Sequence, residues 1–299
     1  MSTFFQFVIE GLTTGSFYAL VALGYTMVYG IIRLINFAHG DLFMVGAFVG
    51  WTGLTVLAAA HIPLALALLI ALVAAMAVTG ALGLAIERLA YQPLLRAPRL
   101  SILITALGVS LALENGVLLI YGAGFSTYPH VLSQAGLEFH DVQITFAQIG
   151  IIVTSFALML ALYFFVHGTF IGTAMRALAI DQDAARLMGI DVERLIQLTF
   201  FLGSALAAVA GVMEGIYYTQ INFFMGFVLG LRAFTAAVLG GIGNIPGAMA
   251  GGILIGLLES FGAGYVSSRW TDVFVFGVLI GVLVIKPTGL FGERVVERM

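Results

Sequence analysis

Long apolar stretches, almost free of charge, follow one another along nearly the whole chain. A helix that crosses the hydrocarbon core of a bilayer needs about 20 mostly apolar residues. In lipid, a helix satisfies its own backbone hydrogen bonds, so each stretch is predicted to be a membrane-spanning helix rather than a buried strand. The stretches are 4–31, 37–60, 62–87, 100–121, 146–166, 195–218, 228–242, 248–263 and 272–286.

The scarcity of charge supports the same prediction. Only 9% of the 299 residues are charged, and the mean hydropathy is +1.11, whereas soluble domains average about 25% charged residues. We therefore predict one all-α polytopic membrane domain over 1–299, with the lipid bilayer as its surroundings. The absence of cysteine excludes thiolate metal sites. A net charge of −3 without a basic run predicts no nucleic-acid partner.

The number and orientation of the spans follow from two further features. The stretch 228–242 is short and ends in a glycine-rich turn, which leaves eight or nine spans. Arg and Lys mark cytoplasmic loops, whereas the loop 122–145 and the first ten residues carry neither. We expect an outer N-terminus, a cytoplasmic C-terminus and hence nine spans, with Arg269 as an exception on an outer loop. The groups predicted to be cytoplasmic are Arg88, Arg96 and Arg99; Arg176, Arg186 and Arg194; and Lys286, Arg294 and Arg298.

One polar segment, 168–194, interrupts the apolar sequence. Asp181 is predicted to cap a short helix, and Gly189 to end it. Ala184, Leu187 and Met188 share one face of that helix. Helices that rest on a membrane surface usually have Lys/Arg-rich polar faces, whereas mixed charge and small apolar residues favour docking in a protein groove.

Ionisable groups within the predicted spans are functional hypotheses by default, because burying them in lipid is costly. Glu87 adjoins Arg88 at a helix end, which favours a side chain that reaches the interface. Glu114, Glu214 and Glu259 either pair with polar groups on neighbouring helices or line a translocation pathway. The full set is Glu10, Arg33, Asp41, Glu87, Glu114, Glu214, Arg232 and Glu259.

A denser polar cluster, Asn36, His39 and Asp41, precedes a helix with regularly spaced glycines. Asp41 is expected in the first turn of that helix, either capping it or lining the translocation pathway. Two ligands are too few for a metal site. The segment 35–40 also resembles 221–226, which indicates an internal repeat of the kind found in transporters or a chance similarity.

The only lysine, Lys286, stands between Ile285 and Pro287. The chain therefore cannot form the Gly-Lys-Ser/Thr motif that binds nucleotide phosphates. We predict no enzymatic activity, no catalytic residue and no cofactor in this chain. If ATP drives transport, ATP and Mg are bound by another subunit.

Four segments carry a resemblance to the permease subunits of branched-chain amino acid ABC importers, and most closely to the H-type subunit. They are spread over nearly the whole chain. The segments are Gly172–Ile190 with Arg176 and the run from Ala184, Asn36–Leu42 with Gly46-Ala47, Ala237–Gly247, and Lys286–Gly292.

The resemblance implies a type II-like importer permease in the bacterial inner membrane. It implies a second permease subunit, two cytoplasmic ATPase subunits and a periplasmic substrate-binding protein as partners. It also implies that 168–194 is a cytoplasmic coupling segment whose helix fits a groove of the ATPase. The residues expected to couple to the ATPase are Arg176, Asp183, Ala184, Arg186, Leu187, Met188 and Gly189. Those expected in the pathway are Asn36, His39, Asp41, Glu114, Glu214 and Glu259.

Three alternatives remain at this point. The same broad family includes urea and short-chain amide importers. A stand-alone secondary transporter would use Glu114, Glu214 or Glu259 as a proton relay. A membrane anchor of a respiratory complex would be hydrophobic in the same way, but it would bind a cofactor.

Overall fold

A computed structural model describes residues 2–94, 97–129, 136–139 and 142–292. Arg96, Arg294 and Arg298, used above to predict orientation, lie outside the described residues. The helices are α1 Ser2–Ile32, α2 His39–Ala59, α3 Leu64–Ile86, α4 Arg99–Tyr121, α5 Phe146–Gly168, α6 Phe170–Ile180, α7 Gln182–Leu187, α8 Val192–Tyr218, α9 Met225–Gly240, α10 Ile245–Tyr265 and α11 Thr271–Ile285. Short 3-10 helices occupy Gln92–Leu94 and Ser268–Trp270, and a π-helix occupies Glu87–Tyr91.

In the described part of the chain, eight helices are long and apolar enough to cross a membrane. The prediction of an all-α polytopic protein is confirmed. The predicted short stretch 228–242 is the 16-residue helix α9, which begins at Met225 and ends at Gly240. The chain therefore has eight full-length spans and one short apolar helix among its described residues.

Two helices form the centre of the bundle. The most apolar windows of α1 and α8 are 83% and 78% buried, whereas those of the other spans are 11–44% buried. α1 packs along α10, α8 and α9, and α8 packs along α2, α3 and α1. The peripheral helices leave large apolar side chains exposed, as lipid-facing helices do.

The two similar segments, 35–40 and 221–226, hold corresponding places in the fold. Each leads into the first turn of a helix, α2 or α9, and the two helices pack near these first turns. A Cβ added to Gly40 would lie 2.5 Å from the carbonyl oxygen of Gly226, so only glycine permits this approach. If α2 corresponds to α9, then α1 corresponds to α8 and α3 corresponds to α10. α1 packs on α10 and α8 packs on α3, which is the pairing expected of two related halves.

Two small antiparallel ladders lie outside the helices. β2 Gly136–Phe139 pairs with β3 Val142–Thr145, and β1 Ser126–Thr127 pairs with β4 Gln220–Ile221. Tyr128 anchors the second ladder, because its buried hydroxyl donates to the carbonyl oxygen of Ala47 at 2.5 Å. Burial raises the pKa of the Tyr128 phenol, so it remains a donor. This ladder fixes the connection between α8 and α9.

The interfacial interpretation of Glu87 is wrong. The helix does not end at 87 but continues through the π-helix, and α8 covers it there. Glu87 is only 1% exposed and lies near Gln197 and Glu193 of α8. A π turn adds a residue to the helical turn and so re-aims the side chains around it.

Candidate functional site

The segment 168–194, predicted above to be a coupling segment, comprises the last residue of α5, the whole of α6 and α7, their connections and the first residues of α8. Thr169 caps α6 by accepting a hydrogen bond from the amide of Gly172 at 3.0 Å. Asp181 caps α7, because its carboxylate accepts from the amides of Asp183 and Ala184 at 2.9 Å each. Gly189 follows α7 with a φ of 81°, a conformation that favours glycine. The predicted start and stop of the short helix are confirmed.

α7 presents an apolar surface to solvent. Leu187 is 90% exposed and Met188 is 82% exposed, and Ala184 is exposed beside them. We call these three residues the coupling face, after the role proposed for them below. Asp183 and Arg186 flank it and form an ion pair at 3.5 Å, which is exposed and therefore contributes little to stability.

Arg176 belongs to a different part of the segment. It lies on α6, is exposed, and donates to the hydroxyl of Thr173 at 3.2 Å. α6 buries Gly172, Met175 and Leu178 against the bundle. Arg176 is therefore separate in sequence and in helix from the coupling face of α7.

Gln182 connects α7 to the centre of the bundle. Its side-chain amide donates to the carbonyl oxygen of Ile31 at 2.8 Å. Ile31 is the penultimate residue of α1, and Ala185 of α7 is buried on the same side as this contact. The sequence analysis did not single out Gln182, since the only local signal was its place beside the Asp181 cap.

The polar cluster near the start of α2 is buried among α1, α2, α4 and the π-helix. Asn36 accepts a hydrogen bond from the hydroxyl of Tyr91 at 2.7 Å. The ring of His39 lies 4.8 Å from that of Tyr25. Asp41 lies beside Ser110 and Glu114 of α4. Within the described residues, Asn36 Nδ2, His39 Nε2, Asp41 Oδ1 and Glu114 Oε1 each lack a hydrogen-bond partner.

Asp41 lies in the first turn of α2, as expected, but it does not cap the helix. The N-cap residue is Ala38, without a side-chain hydrogen bond. The capping interpretation of Asp41 is therefore wrong. Since Asp41 is only 1% exposed, its carboxyl group lies in the protein interior, near Ser110 and Glu114.

Glu214 and Glu259 lie elsewhere, on the wall of a cavity of about 480 Å³ between α1, α8, α9 and α10. We call it the Glu214 cavity. Its wall includes the apolar side chains Phe17, Phe125, Phe224, Val228 and Leu229, and the polar side chains Tyr18, Asn222, Glu214, Arg232 and Glu259. Of the six residues predicted for the pathway, these two are brought together here, and Asn36, His39, Asp41 and Glu114 are not on this wall.

Arg232 organises the polar end of the cavity. Its guanidinium donates to Glu259 at 2.5 Å, to the hydroxyl of Tyr18 at 3.0 Å, and to Asp272 at 2.8 and 3.1 Å. Tyr18 also donates to Glu259. Arg232 and Glu259 are each 19% exposed in their side chains, so this ion pair is mostly buried. Of the two alternatives left open for Glu259, pairing with polar groups on neighbouring helices is therefore present in the structure.

Glu214 differs from Glu259 in its hydrogen bonding. Its Oε2 atom is buried and has no hydrogen-bond partner among the described residues. Arg232 and Glu259 are near enough to act on it electrostatically, but the guanidinium is bonded to Glu259, Tyr18 and Asp272. The cavity therefore combines one satisfied ion pair with one carboxylate oxygen that lacks a donor.

Eight apolar spans among the described residues, a capped surface helix between two of them and charges buried between the helices define a multi-pass membrane protein. The model of the family described as branched-chain amino acid transport system / permease component matches residues 7–283. The chain belongs to this family, and the resemblance inferred from the four segments is confirmed.

Known proteins match the chain over nearly its full length. It is 44% identical over 301 residues to the high-affinity branched-chain amino acid transport system permease protein BraD of Pseudomonas aeruginosa. It is likewise 44% identical to the corresponding permease protein LivH of Escherichia coli. Each alignment covers 99% of this chain and 98% of the relative. Among solved structures, one described as a metal-chelate type ABC transporter in an inward-facing conformation matches with a TM-score of 0.49 and 16% identity, over 94% of this chain and 85% of that one.

Family membership decides between the classes of protein left open by the sequence. The chain is a permease subunit of an ABC importer and is not itself an enzyme. The interpretations as a stand-alone proton-coupled carrier and as a respiratory membrane anchor are set aside. Glu114, Glu214 and Glu259 need no proton-relay role to account for the function of the chain.

Proposed function

We propose that this chain translocates branched-chain amino acids across the bacterial inner membrane, as one of two permease subunits of an importer driven by separate ATPases. The observation that carries the proposal is the match to two branched-chain amino acid permeases over 99% of this chain. A match that includes both the coupling segment and the cavity-lining helices favours the same substrate class and the same mode of coupling.

The coupling face is the proposed contact with the ATPase. Leu187 and Met188 are apolar, prominent and almost wholly exposed. Exposed apolar side chains at helical spacing are the anchors of helix-in-groove recognition. Asp183 and Arg186 flank them with opposite charges and would set the orientation of docking rather than its strength. Arg176 and Gly189 complete the proposed contact region.

Gln182 and the buried Ala185 give the docked helix a route into the membrane domain. The Gln182–Ile31 hydrogen bond connects α7 to the end of α1. α1 is the most buried span and contributes Tyr18 to the Glu214 cavity. A displacement of α7 by the ATPase would therefore act directly on a helix that lines the proposed pathway.

The proposed topology places the end of the bundle that carries α6 and α7 in the cytoplasm. The end of α3 lies at that same end, because Gln92 donates to Glu193 at the start of α8 at 3.3 Å. Arg88, Arg176, Arg186 and Arg194 in these segments thus lie toward one end of the bundle, in accord with the positive-inside rule. The N-terminus is outside, a periplasmic binding protein delivers the substrate to the opposite end, and ATP and Mg are held by the partner ATPases.

Uptake by the assembled complex tests this function. We expect the chain, co-expressed and purified with its neighbouring gene products, to retain a second permease and ATPase subunits. In vesicles that hold ATP inside and are supplied with the binding protein outside, unlabelled leucine, isoleucine and valine should compete with radiolabelled leucine, whereas urea and acetamide should not. Competition by urea or acetamide alone would assign the chain to the other substrate class, and purification without an ATPase would contradict the mode of coupling.

Replacing Gln182 with alanine is expected to lower uptake while leaving the ATPase bound. The change removes one hydrogen bond between α7 and α1, worth about 0.5–1.5 kcal/mol, or a factor of about 2 to 10. Leucine uptake per molecule of ATP hydrolysed measures the effect. Gln143→Ala, which removes an exposed amide bonded to Glu138 and lies outside 168–194, is the matched control and should leave this ratio unchanged. An unaltered ratio in Gln182→Ala would rule out the proposed connection.

A further inference from the structure

We propose that the Glu214 cavity is a subsite through which the substrate passes, with Glu214 accepting the α-ammonium group and the apolar wall receiving the side chain. This inference rests on the proposed function and adds to it a binding site within the permease itself. The subsite would hold a free, zwitterionic, apolar amino acid after the binding protein has released it.

The charges on the cavity wall favour an ammonium group. The charged side chains there are Glu214, Glu259 and Arg232, with a formal sum of −1. Arg232 and Glu259 neutralise each other at 2.5 Å. The remaining negative charge belongs to Glu214, whose buried Oε2 lacks a donor among the described residues. A buried acceptor without a donor costs free energy, and an ammonium group supplies both the donor and the opposite charge.

The rest of the wall suits a branched apolar side chain. Phe17, Phe224, Val228 and Leu229 present aromatic and aliphatic surface. The volume of about 480 Å³ lies within the range of ordinary small-molecule sites, about 300–1,000 Å³. Such sites are mainly apolar and contain a few polar groups that orient the ligand. An amide or urea molecule would leave most of this apolar surface without a partner.

The start of α9 provides a place for the α-carboxylate. The side-chain oxygen of Asn222 accepts from the amide of Phe224 at 2.9 Å, which directs the amide nitrogen of Asn222 away from that bond. Phe224 is the N-cap residue of α9, and no side chain caps this helix. The first amide groups of a helix favour an anion. Asn222, Phe224 and Glu214 line the same cavity, so groups for both charges of a zwitterion are present.

Protection of a single cysteine tests this site directly. The chain has no cysteine, so Val228→Cys on the cavity wall would carry its only thiol. The full complex, with this substitution and with uptake retained, is treated with N-ethylmaleimide, and labelling of this chain is resolved on a gel. We expect leucine and 3-methylbutylamine, which lacks the carboxylate, to slow labelling. 4-Methylpentanoic acid, which lacks the amino group, should not slow it.

The role of Glu214 is tested in the same background. Glu214→Gln is expected to raise the leucine concentration for half protection by about tenfold or more, since a hydrogen bond to a charged group is worth about 1.5–3 kcal/mol. Glu138→Gln, an exposed carboxylate of β2, is the matched control and should leave it unchanged. Equal labelling rates without ligand in the variants show that the cavity is intact. If the complex with Glu214→Gln does not assemble, the comparison of 3-methylbutylamine with 4-methylpentanoic acid still tests the subsite, because it uses the Val228→Cys complex in which Glu214 is present.

Two results would overturn the subsite. The first is leucine uptake without any protection of the thiol in Val228→Cys, which would leave the proposed function standing. The second is equal protection by 4-methylpentanoic acid and 3-methylbutylamine, which would show that the amino group is not recognised. Absence of leucine uptake in the complex without substitutions would instead count against the proposed function.

Discussion

Replacing both Leu187 and Met188 with aspartate is expected to abolish ATP-driven uptake and to release the ATPase from the complex. The two side chains are 90% and 82% exposed, so the fold of this chain does not depend on them. If they fill an apolar groove, each contributes about 1.5–3 kcal/mol. Carboxylates in that groove would add a desolvation penalty. The combined loss is expected to exceed about 3 kcal/mol, which is more than a hundredfold in affinity.

Co-purification of the ATPase with the tagged permease measures this effect, and uptake in vesicles measures its consequence. Leu137→Asp is a matched control, because Leu137 is an apolar side chain of β2 that is 57% exposed and lies outside the coupling segment. The control should keep both the ATPase and uptake. Full recovery of the ATPase with the double aspartate variant would show that the coupling face is not the docking surface.

Replacing Arg232 with methionine is expected to destabilise the membrane domain by about 3–5 kcal/mol, the usual effect of removing one partner from a buried ion pair. Glu259 would keep only the hydroxyl of Tyr18 as a donor, in a site where its side chain is 19% exposed. Asp272 would lose the same partner at less cost, since its side chain is 61% exposed. Thermal unfolding of the purified permease in detergent measures the change.

The double variant Arg232→Met with Glu259→Met separates the charge effect from packing. An apolar pair of similar size often matches or exceeds a buried ion pair in stability. We therefore expect the double variant to be more stable than Arg232→Met alone. Asp272→Asn, on the exposed side of the same guanidinium, should change stability by less than about 1 kcal/mol. An Arg232→Met protein as stable as the original would show that the pair is not buried in the membrane domain.

Local signals in the sequence predicted the start and the end of α7 correctly. The Asp181 cap and the Gly189 stop depend on backbone groups within a few residues, and both are present. The prediction that Glu87 reaches the interface was wrong because its surroundings depend on a distant part of the chain. Its apolar helix continues through a π turn, and its burial depends on α8, more than a hundred residues later in the chain. Nothing near Glu87 in the sequence indicates that contact.

The sequence by itself determined the membrane class, the long spans and the short helix at 228–242, because a helix in lipid must satisfy its backbone within one continuous segment. The family was indicated by the resemblance of four segments. Only the tertiary structure decided what each intramembrane carboxyl group contacts. Glu259 is hydrogen-bonded to Arg232 and Tyr18. Asp41 lies beside Ser110 and Glu114, whereas Glu214 lines a cavity and has one oxygen without a donor among the described residues. These side chains come together through the packing of helices far apart in the chain, where no local pattern specifies the partner.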